Sequence, residues 1–305
     1  MKRRVACAVP VAGAGRKLED YLTLRFTYHT REEWLARIAS EEIRLNGVPA
    51  APDTVLAVGD KLTYEPRDLV EPPVRNDFRI VYADDDLCVI DKPGNLPVHP
   101  AGPYFEHTLW ALLRGRFPEL HFINRLDRET SGLLLAALRP ESAARLSRRL
   151  AAMFKRYQAI VHGALTEPLD AEGVLCRDET SAVRKKRRFV PHGTDGEYVR
   201  TELFPVRRAG DFTLVEAVLH TGRLHQVRAT LFSLGYPVVG DKLYGLNENF
   251  YLRLRGDRLT AQDRAELILE RQALHCAELA FCHPADGRVM RFVSHMPEDM
   301  AALLD

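Results

Sequence analysis

Asp127 lies in the run Ile123-Asn124-Arg125-Leu126-Asp127-Arg128-Glu129-Thr130-Ser131-Gly132, and six apolar residues, Leu133-Leu134-Leu135-Ala136-Ala137-Leu138, follow at once. A carboxylate flanked by two arginines is held ionised, because nearby positive charge stabilises the anion. The apolar run behind it reads as a buried strand. The pattern anchors a charged aspartate beside the core, where an unpaired carboxylate is costly and where carboxylates often act as nucleophiles or bases. The same residues also suit a purely structural role, as an Asp–Arg pair that braces the fold.

Other segments carry more information. Arg-Leu-Asp-x-x-Thr-Ser-Gly around Asp127 resembles the signature of the RluA-type pseudouridine synthases. Four more strings resemble that family in its order. Val89-Ile90-Asp91-Lys92-Pro93-Gly94-Asn95-Leu96-Pro97-Val98-His99-Pro100 is similar to its lysine-proline loop, and Phe154-Lys155-Arg156-Tyr157-Gln158-Ala159-Ile160-Val161-His162-Gly163 to its tyrosine strand. Thr221-Gly222-Arg223-Leu224-His225-Gln226-Val227-Arg228 runs on to Gly235-Tyr236-Pro237-Val238-Val239-Gly240-Asp241-Lys242-Leu243-Tyr244-Gly245. Arg271-Gln272-Ala273-Leu274-His275-Cys276 precedes Leu279-Ala280-Phe281-Cys282-His283-Pro284. Each string is weak alone; five in order over residues 78–295 make the resemblance specific.

The resemblance implies an isomerase that converts uridine in RNA to pseudouridine. That reaction breaks an N-glycosidic bond, turns the base over and joins carbon to carbon, with no redox change. It requires a nucleophile or base, an electrostatic partner and a pocket for the detached base, and it requires no metal and no cofactor. The resemblance carries the essential aspartate to Asp127, which could attack ribose or base or act as a base. It carries the active-site tyrosine to Tyr157, whose ring can stack on uracil, and the basic partner of the aspartate to Arg228, whose guanidinium can give a carboxylate two parallel hydrogen bonds. Arg223 and His225, at the expected start of a helix, form a candidate phosphate site. Arg125 is expected to contact the RNA, and Lys92 to shape the loop entering the cleft and to count among the RNA-binding residues. The five consecutive cations Arg184, Lys185, Lys186, Arg187 and Arg188 are expected to form a basic loop that meets RNA.

The positions of these residues require a scaffold, and length and composition bound it. The chain has 305 residues, a formal net charge of +1 and five scattered cysteines. One large domain with a small one fits that length. The near-neutral charge excludes a polycation, so any RNA surface must come from local clustering. Neither a disulfide framework nor a Cys-x-x-Cys zinc pair is present. A reducing, cytoplasmic compartment, a monomer and no membrane or metal partner are expected.

The paired prolines Pro72-Pro73 place a linker over 67–75, between an N-terminal segment, 1–66, and a catalytic domain, 76–305. In the first, helical spacing around Leu18–Leu24 and Trp34–Ala39 precedes a short strand at 43–45, an Asn46-Gly47 turn and a strand after Gly59-Asp60. This order resembles an S4-type RNA-binding module, although Glu32, Glu33, Glu41 and Glu42 stand where phosphate-facing cations are expected. In the second, strands are expected at 78–82, 87–90, 133–138, 157–161, 174–176, 198–204, 212–219 and 288–293, and helices at 108–113, 141–154 and 225–234. Strands outnumber helices without regular alternation. The fold class is therefore α+β, with a central mixed, largely antiparallel sheet and a cleft, preceded by the small S4-like module.

Two positions depart from the family pattern. Asn124 replaces the usual histidine before Arg-Leu-Asp, and Asn95 replaces a glycine while tolerating the same positive backbone angle. Rival readings are an RNA-binding protein without catalysis, a ribosome-assembly factor, and a glycoside hydrolase with Asp127 and Glu129 on one strand face. Large-subunit ribosomal RNA is the expected substrate, with transfer RNA as the alternative; an exposed uridine in structured RNA is cheapest to unstack.

Overall fold

A computed structural model describes residues 4–26, 29–67, 70–255 and 258–305. The basic start at residues 1–3 and two residues of the expected linker, Asp68 and Leu69, lie outside the described residues. The chain divides into two compact units, Met1–Pro72 with Ala101–Glu106, and Pro73–Pro100 with His107–Asp305.

The smaller unit runs β1 (Val5–Ala8), α1 (Leu18–Arg25), α2 (Arg31–Ala39), β2 (Ile43–Leu45), β3 (Val48–Pro49) and β4 (Lys61–Tyr64). Thr30 starts α2 with a reciprocal cap: its hydroxyl accepts from the Glu33 amide while the Glu33 carboxylate accepts from the Thr30 amide. Trp34 and Ile38, one turn apart, bury against Leu18, Leu22 and Ile43. Asn46 and Gly47 adopt φ of 52° and 89°, the paired positive angles of a tight hairpin turn. The strands order β1-β4-β2-β3, all antiparallel. Strand β1 was not legible in the sequence, since Pro10 and the glycines beyond it mask a short edge strand.

The larger unit begins with β5 (Arg79–Ala83), β6 (Leu87–Lys92), α3 (Leu109–Leu113), β7 (His121–Phe122), β8 (Ser131–Ala137) and α4 (Pro140–Arg148). It continues through β9 (Phe154–His162), β10 (Leu169–Arg177), β11 (Arg187–Pro191), β12 (Glu197–Ala209) and β13 (Phe212–Leu219). It closes with α5 (Gln226–Ser233), α6 (Asn249–Arg255), α7 (Ala261–Leu267), β14 (Leu274–Cys282), β15 (Val289–Val293) and α8 (Glu298–Ala301). The sheet path is β11-β10-β12-β13-β9-β14-β8-β6-β5, with β15 on β14 and β7 on β8. Strands β14 and β8 pair in parallel and every other pair is antiparallel, so the sheet is mixed and largely antiparallel. All seven residues of β8 are buried. Such a run forms where both faces of a sheet are covered, and Leu133 and Leu135 enter one core while Ala136 joins another with Cys88, Ile90 and Leu109.

Two expectations need correction. The helix expected over 141–154 ends at Arg148; a short 3-10 turn follows at Leu150–Ala152, and Phe154 already belongs to β9. Ladder pairing of Phe154 to Ala280 and Lys155 to Leu279 outcompetes the local helical pattern. The five-cation run is not a free loop, because Arg187 and Arg188 lie in β11, paired with Arg177 and Cys176. Among the described residues no helix is long and apolar enough to cross a membrane.

Gly132 opens β8 where it meets β14. Its φ is +106°, and a Cβ there would sit 2.3 Å from the Cys276 carbonyl oxygen and 2.6 Å from the Cys276 nitrogen. Gly132→Ala is expected to lower stability by about 2–3 kcal/mol or more, from forbidden backbone geometry and overpacking together. Urea unfolding midpoints would measure it; an unchanged midpoint would mean that β8 and β14 can part without cost.

Candidate active site

The loop between β7 and β8 carries Asp127, and backbone ties fix its shape. The Asp127 carbonyl accepts from the Thr130 amide at 3.2 Å, and the Arg128 carbonyl accepts from the Leu96 amide at 3.0 Å. Asn124 is buried; its Oδ1 accepts from the Leu135 amide at 2.8 Å, binding the loop to the strand that follows. The asparagine that departs from the family pattern is thus a structural clamp. Asn95 has φ of 55°, the angle expected of it.

Arg228 reaches this loop from α5, 101 residues away in sequence. Its Nη1 donates to Asp127 Oδ2 at 2.7 Å, and its Nε and Nη2 donate to the two oxygens of Asp241 at 2.6 and 2.7 Å. One guanidinium therefore bridges two carboxylates, with a bidentate fork on Asp241 and a single bond left for Asp127. Asp241 is fully buried and also accepts from the Leu243 and Tyr244 amides, both at 2.9 Å. Gln272 Nε2 donates to Asp127 Oδ2 at 3.4 Å and to Thr130 Oγ1 at 2.5 Å. Burial works against the Asp127 anion, but the Arg228 charge overrides it and holds the carboxyl well below the usual range.

The neighbouring arginines, read in the sequence as the source of that ionisation, do not supply it. Arg128 turns to Glu129 at 2.7 Å, and the Arg125 side chain is exposed. Glu129 does not share a strand face with Asp127 either. The segment is a turn, and Glu129 pairs with Lys242 at 2.9 Å. Glu129 is thus committed to a lysine, and the shared strand face on which the glycoside-hydrolase reading rested is not formed.

Tyr157 lies in β9, level with Ala217 and Cys276 on the adjacent strands. Burial pushes its phenol well above the ordinary value, and the nearby Asp127 charge acts the same way, so the hydroxyl stays protonated. His225 precedes α5 with φ of +58°; its Nε2 lies 3.9 Å from Asp127 Oδ1, and its Nδ1 lies 2.9 Å from the Tyr244 hydroxyl. Its side chain is only 7% exposed, so it belongs to the Asp127 constellation rather than to an outward phosphate site. Arg223 is exposed, 3.8 Å from Glu197. Gln226 secures the turn before the helix, accepting from the Thr221 hydroxyl and the Arg223 amide and donating to Thr201.

Lys92 and Lys186 cannot meet a polyanion as expected from sequence. Lys92 is 1% exposed, and its Nζ donates to the carbonyls of Pro93, Leu96 and Arg128 at 2.8, 3.0 and 3.2 Å. Burial brings its pKa down to about 7. It ties the lysine-proline loop to the aspartate loop. Lys186 is buried, pairs with Glu248 at 2.8 Å and stacks on Phe232. Arg184, Lys185 and Arg188 remain exposed.

Asp241, Gln272 and Tyr244 were missed as site residues, although all three stood inside the motif strings. The available signal was an acid directly after Gly240, whose φ of +74° and close approach to the Arg271 carbonyl leave no room for a side chain. Among the described residues one group has metal-ligand spacing, Asp84, Asp86 and His283. Asp84 there already accepts from the Tyr82 hydroxyl, two backbone amides and His283, which marks a clasp between turns.

The chain is similar in sequence and fold to known proteins. A family model described as RNA pseudouridylate synthase matches residues 86–233. The uncharacterized RNA pseudouridine synthase YlyB of Bacillus subtilis is 30% identical, over 92% of this chain and 92% of its own length. Ribosomal large subunit pseudouridine synthase D of Pseudomonas aeruginosa is 31% identical, over 98% of this chain and 94% of its own. The solved structure of human RNA pseudouridylate synthase domain containing 1 superposes with a TM-score of 0.58 at 26% identity, covering 77% of this chain and 90% of that one. The chain belongs to the RNA pseudouridine synthase family, of the RluA type, and is an isomerase.

Proposed function

We propose that this isomerase converts a uridine of large-subunit ribosomal RNA to pseudouridine, with Asp127 as its essential carboxylate. The observation that carries the reading is a carboxylate kept ionised by a buried guanidinium, with its side chain still 28% exposed. The anion is stabilised through one oxygen while the other remains open to a substrate. Attack on ribose, attack on the base and proton abstraction all require that ionised oxygen. Tyr157, neutral and buried beside it, suits stacking on the uracil. The bond from N1 to C1′ breaks, the base turns, C5 bonds to C1′, and the proton lost from C5 is balanced by one gained at N1.

Relatives named as ribosomal large subunit synthases support ribosomal RNA as the substrate class. The exposed cations Arg184, Lys185 and Arg188, with Arg125 and Arg223, support a positive surface for phosphates. The helix-helix-strand order of the smaller unit, with its Asn-Gly hairpin, supports an S4-like RNA-binding module preceding the catalytic domain. Two of its four acids have internal roles, since Glu33 caps a helix and Glu42 is buried against Arg37 and Ser40, while Glu32 and Glu41 stay exposed. Arg16 and Lys17 line a recess on that unit, where cations can meet phosphate, although Arg31 in the same recess is paired with Glu19 and Asp20. All five cysteines are free thiols, which supports a reducing, cytoplasmic setting.

Asp127→Asn is expected to abolish isomerisation of ribosomal RNA by the purified protein while leaving RNA affinity and melting temperature nearly unchanged; a variant that unfolds would make the ion pair structural. Arg228→Lys keeps the charge but loses the fork. It should cut kcat at least about a hundredfold while the fold persists by circular dichroism. Neutralising Arg184, Lys185 and Arg188 together should flatten the slope of log affinity against log salt by about two. An unchanged slope would remove that hairpin from the RNA surface.

A further inference from the structure

We infer that Asp127 reacts through Oδ1, and that His225 stands beside this oxygen as a neutral imidazole with its proton on Nε2, set in that tautomer by Tyr244 to donate to an oxygen of the bound uridine. The inference rests on the function proposed above and assigns an additional donor to the same site. The two oxygens of Asp127 are not equivalent. Oδ2 accepts from Arg228 and Gln272, so its lone pairs are engaged. Oδ1 takes no hydrogen bond among the described residues; His225 Nε2 lies 3.9 Å from it, beyond hydrogen-bond reach. The free lone pairs, and the gap beside them, are both at Oδ1.

The tautomer follows from counting protons. The Tyr244 hydroxyl accepts from the Arg187 amide at 2.9 Å and lies 2.9 Å from His225 Nδ1. A phenol has one proton to give. If Nδ1 carried the imidazole proton, the Tyr244 proton would be left without an acceptor on a fully buried side chain, an arrangement that is strongly disfavoured. Tyr244 therefore donates to Nδ1, and a neutral ring carries its proton on Nε2, facing Oδ1. The charged and titratable groups around the ring are Asp127 on its loop, Arg228 on α5, Asp241 and Tyr244 beyond that helix, and Lys185 in the hairpin turn. Burial is the largest influence and brings the His225 pKa down to about 4, so the ring is uncharged near neutrality.

A neutral donor has a specific advantage here. A protonated ring would pair with Asp127 and withdraw the anion, whereas an Nε2–H dipole can bind a substrate oxygen and leave the carboxylate its charge. The Arg187 amide that completes the chain belongs to β11, adjoining the exposed cations. The hairpin expected to meet RNA thus also sets the histidine.

The test is made on the full chain. Nitrogen-15 shifts of the His225 ring, assigned by their absence in His225→Gln, should show a pyrrole-type Nε2 and a pyridine-type Nδ1 at pH 7. The opposite tautomer, or a cationic ring, would overturn the inference. Tyr244→Phe removes the donor that favours the unprotonated Nδ1, so the His225 pKa should rise. The acid limb of the kcat profile should then move up by about one pH unit, with about twofold lower activity at pH 5 relative to wild type. His225→Gln, which retains a donor, should keep more activity than His225→Ala. Equal losses in those two, or an unaltered pH profile in Tyr244→Phe, would also overturn it. The shifts are read on free protein, so they report the tautomer even if Tyr244→Phe does not fold. A wild type that isomerises no uridine would defeat the functional reading instead.

Discussion

Arg228 carries one positive charge in the interior between two negative ones, and the site depends on that arrangement. Removing a guanidinium and two carboxylates from water costs several kcal/mol for each ion. The arrangement persists because Asp241 takes two parallel bonds and Asp127 a third. The chain supplies Asp241 by a left-handed glycine immediately before it and two backbone amides after it. It supplies Asp127 from a loop held by Lys92, Asn124 and Gln272. Deleting any one of these supports would leave a buried charge less well matched, and that coupling explains why side chains far apart in sequence act as one unit.

The division of labour between the two aspartates follows from burial. Asp241 has no exposed side-chain surface and all its acceptor capacity is used internally, so it can only position. Asp127 has 28% of its side chain exposed and one oxygen bonded. The same guanidinium that satisfies the first aspartate keeps the second charged. Tyr157 and His225 stand near the anion without adding charge that would compete for it.

Much of the scaffold was legible because its signals are local. The unbroken apolar run of β8, the Asn46-Gly47 hairpin and the spacing of Trp34 and Ile38 each declare an element within a few residues. The expectation of a helix to residue 154 failed because pairing with β14, over a hundred residues on, decides Phe154 and Lys155. The pairing of Asp127 with Arg228 was legible through motif order. Their other partners were not, since Asp241, Gln272 and Tyr244 read as ordinary residues until the fold brings them together. The cation run misled in part for the same reason: sequence shows five like charges, and only burial shows that Lys186 is committed to Glu248.

The most direct test of the central claim, that the ionised Asp127 carboxylate isomerises a ribosomal uridine, is a pseudouridine map of total cellular RNA by carbodiimide labelling and reverse-transcription stops. The map is made with the gene present, deleted, and restored as wild type or as Asp127→Asn. The account requires a stop in large-subunit ribosomal RNA that vanishes on deletion, returns with wild type and stays absent with Asp127→Asn. A stop restored by Asp127→Asn would contradict it, as would maps that do not differ at any site.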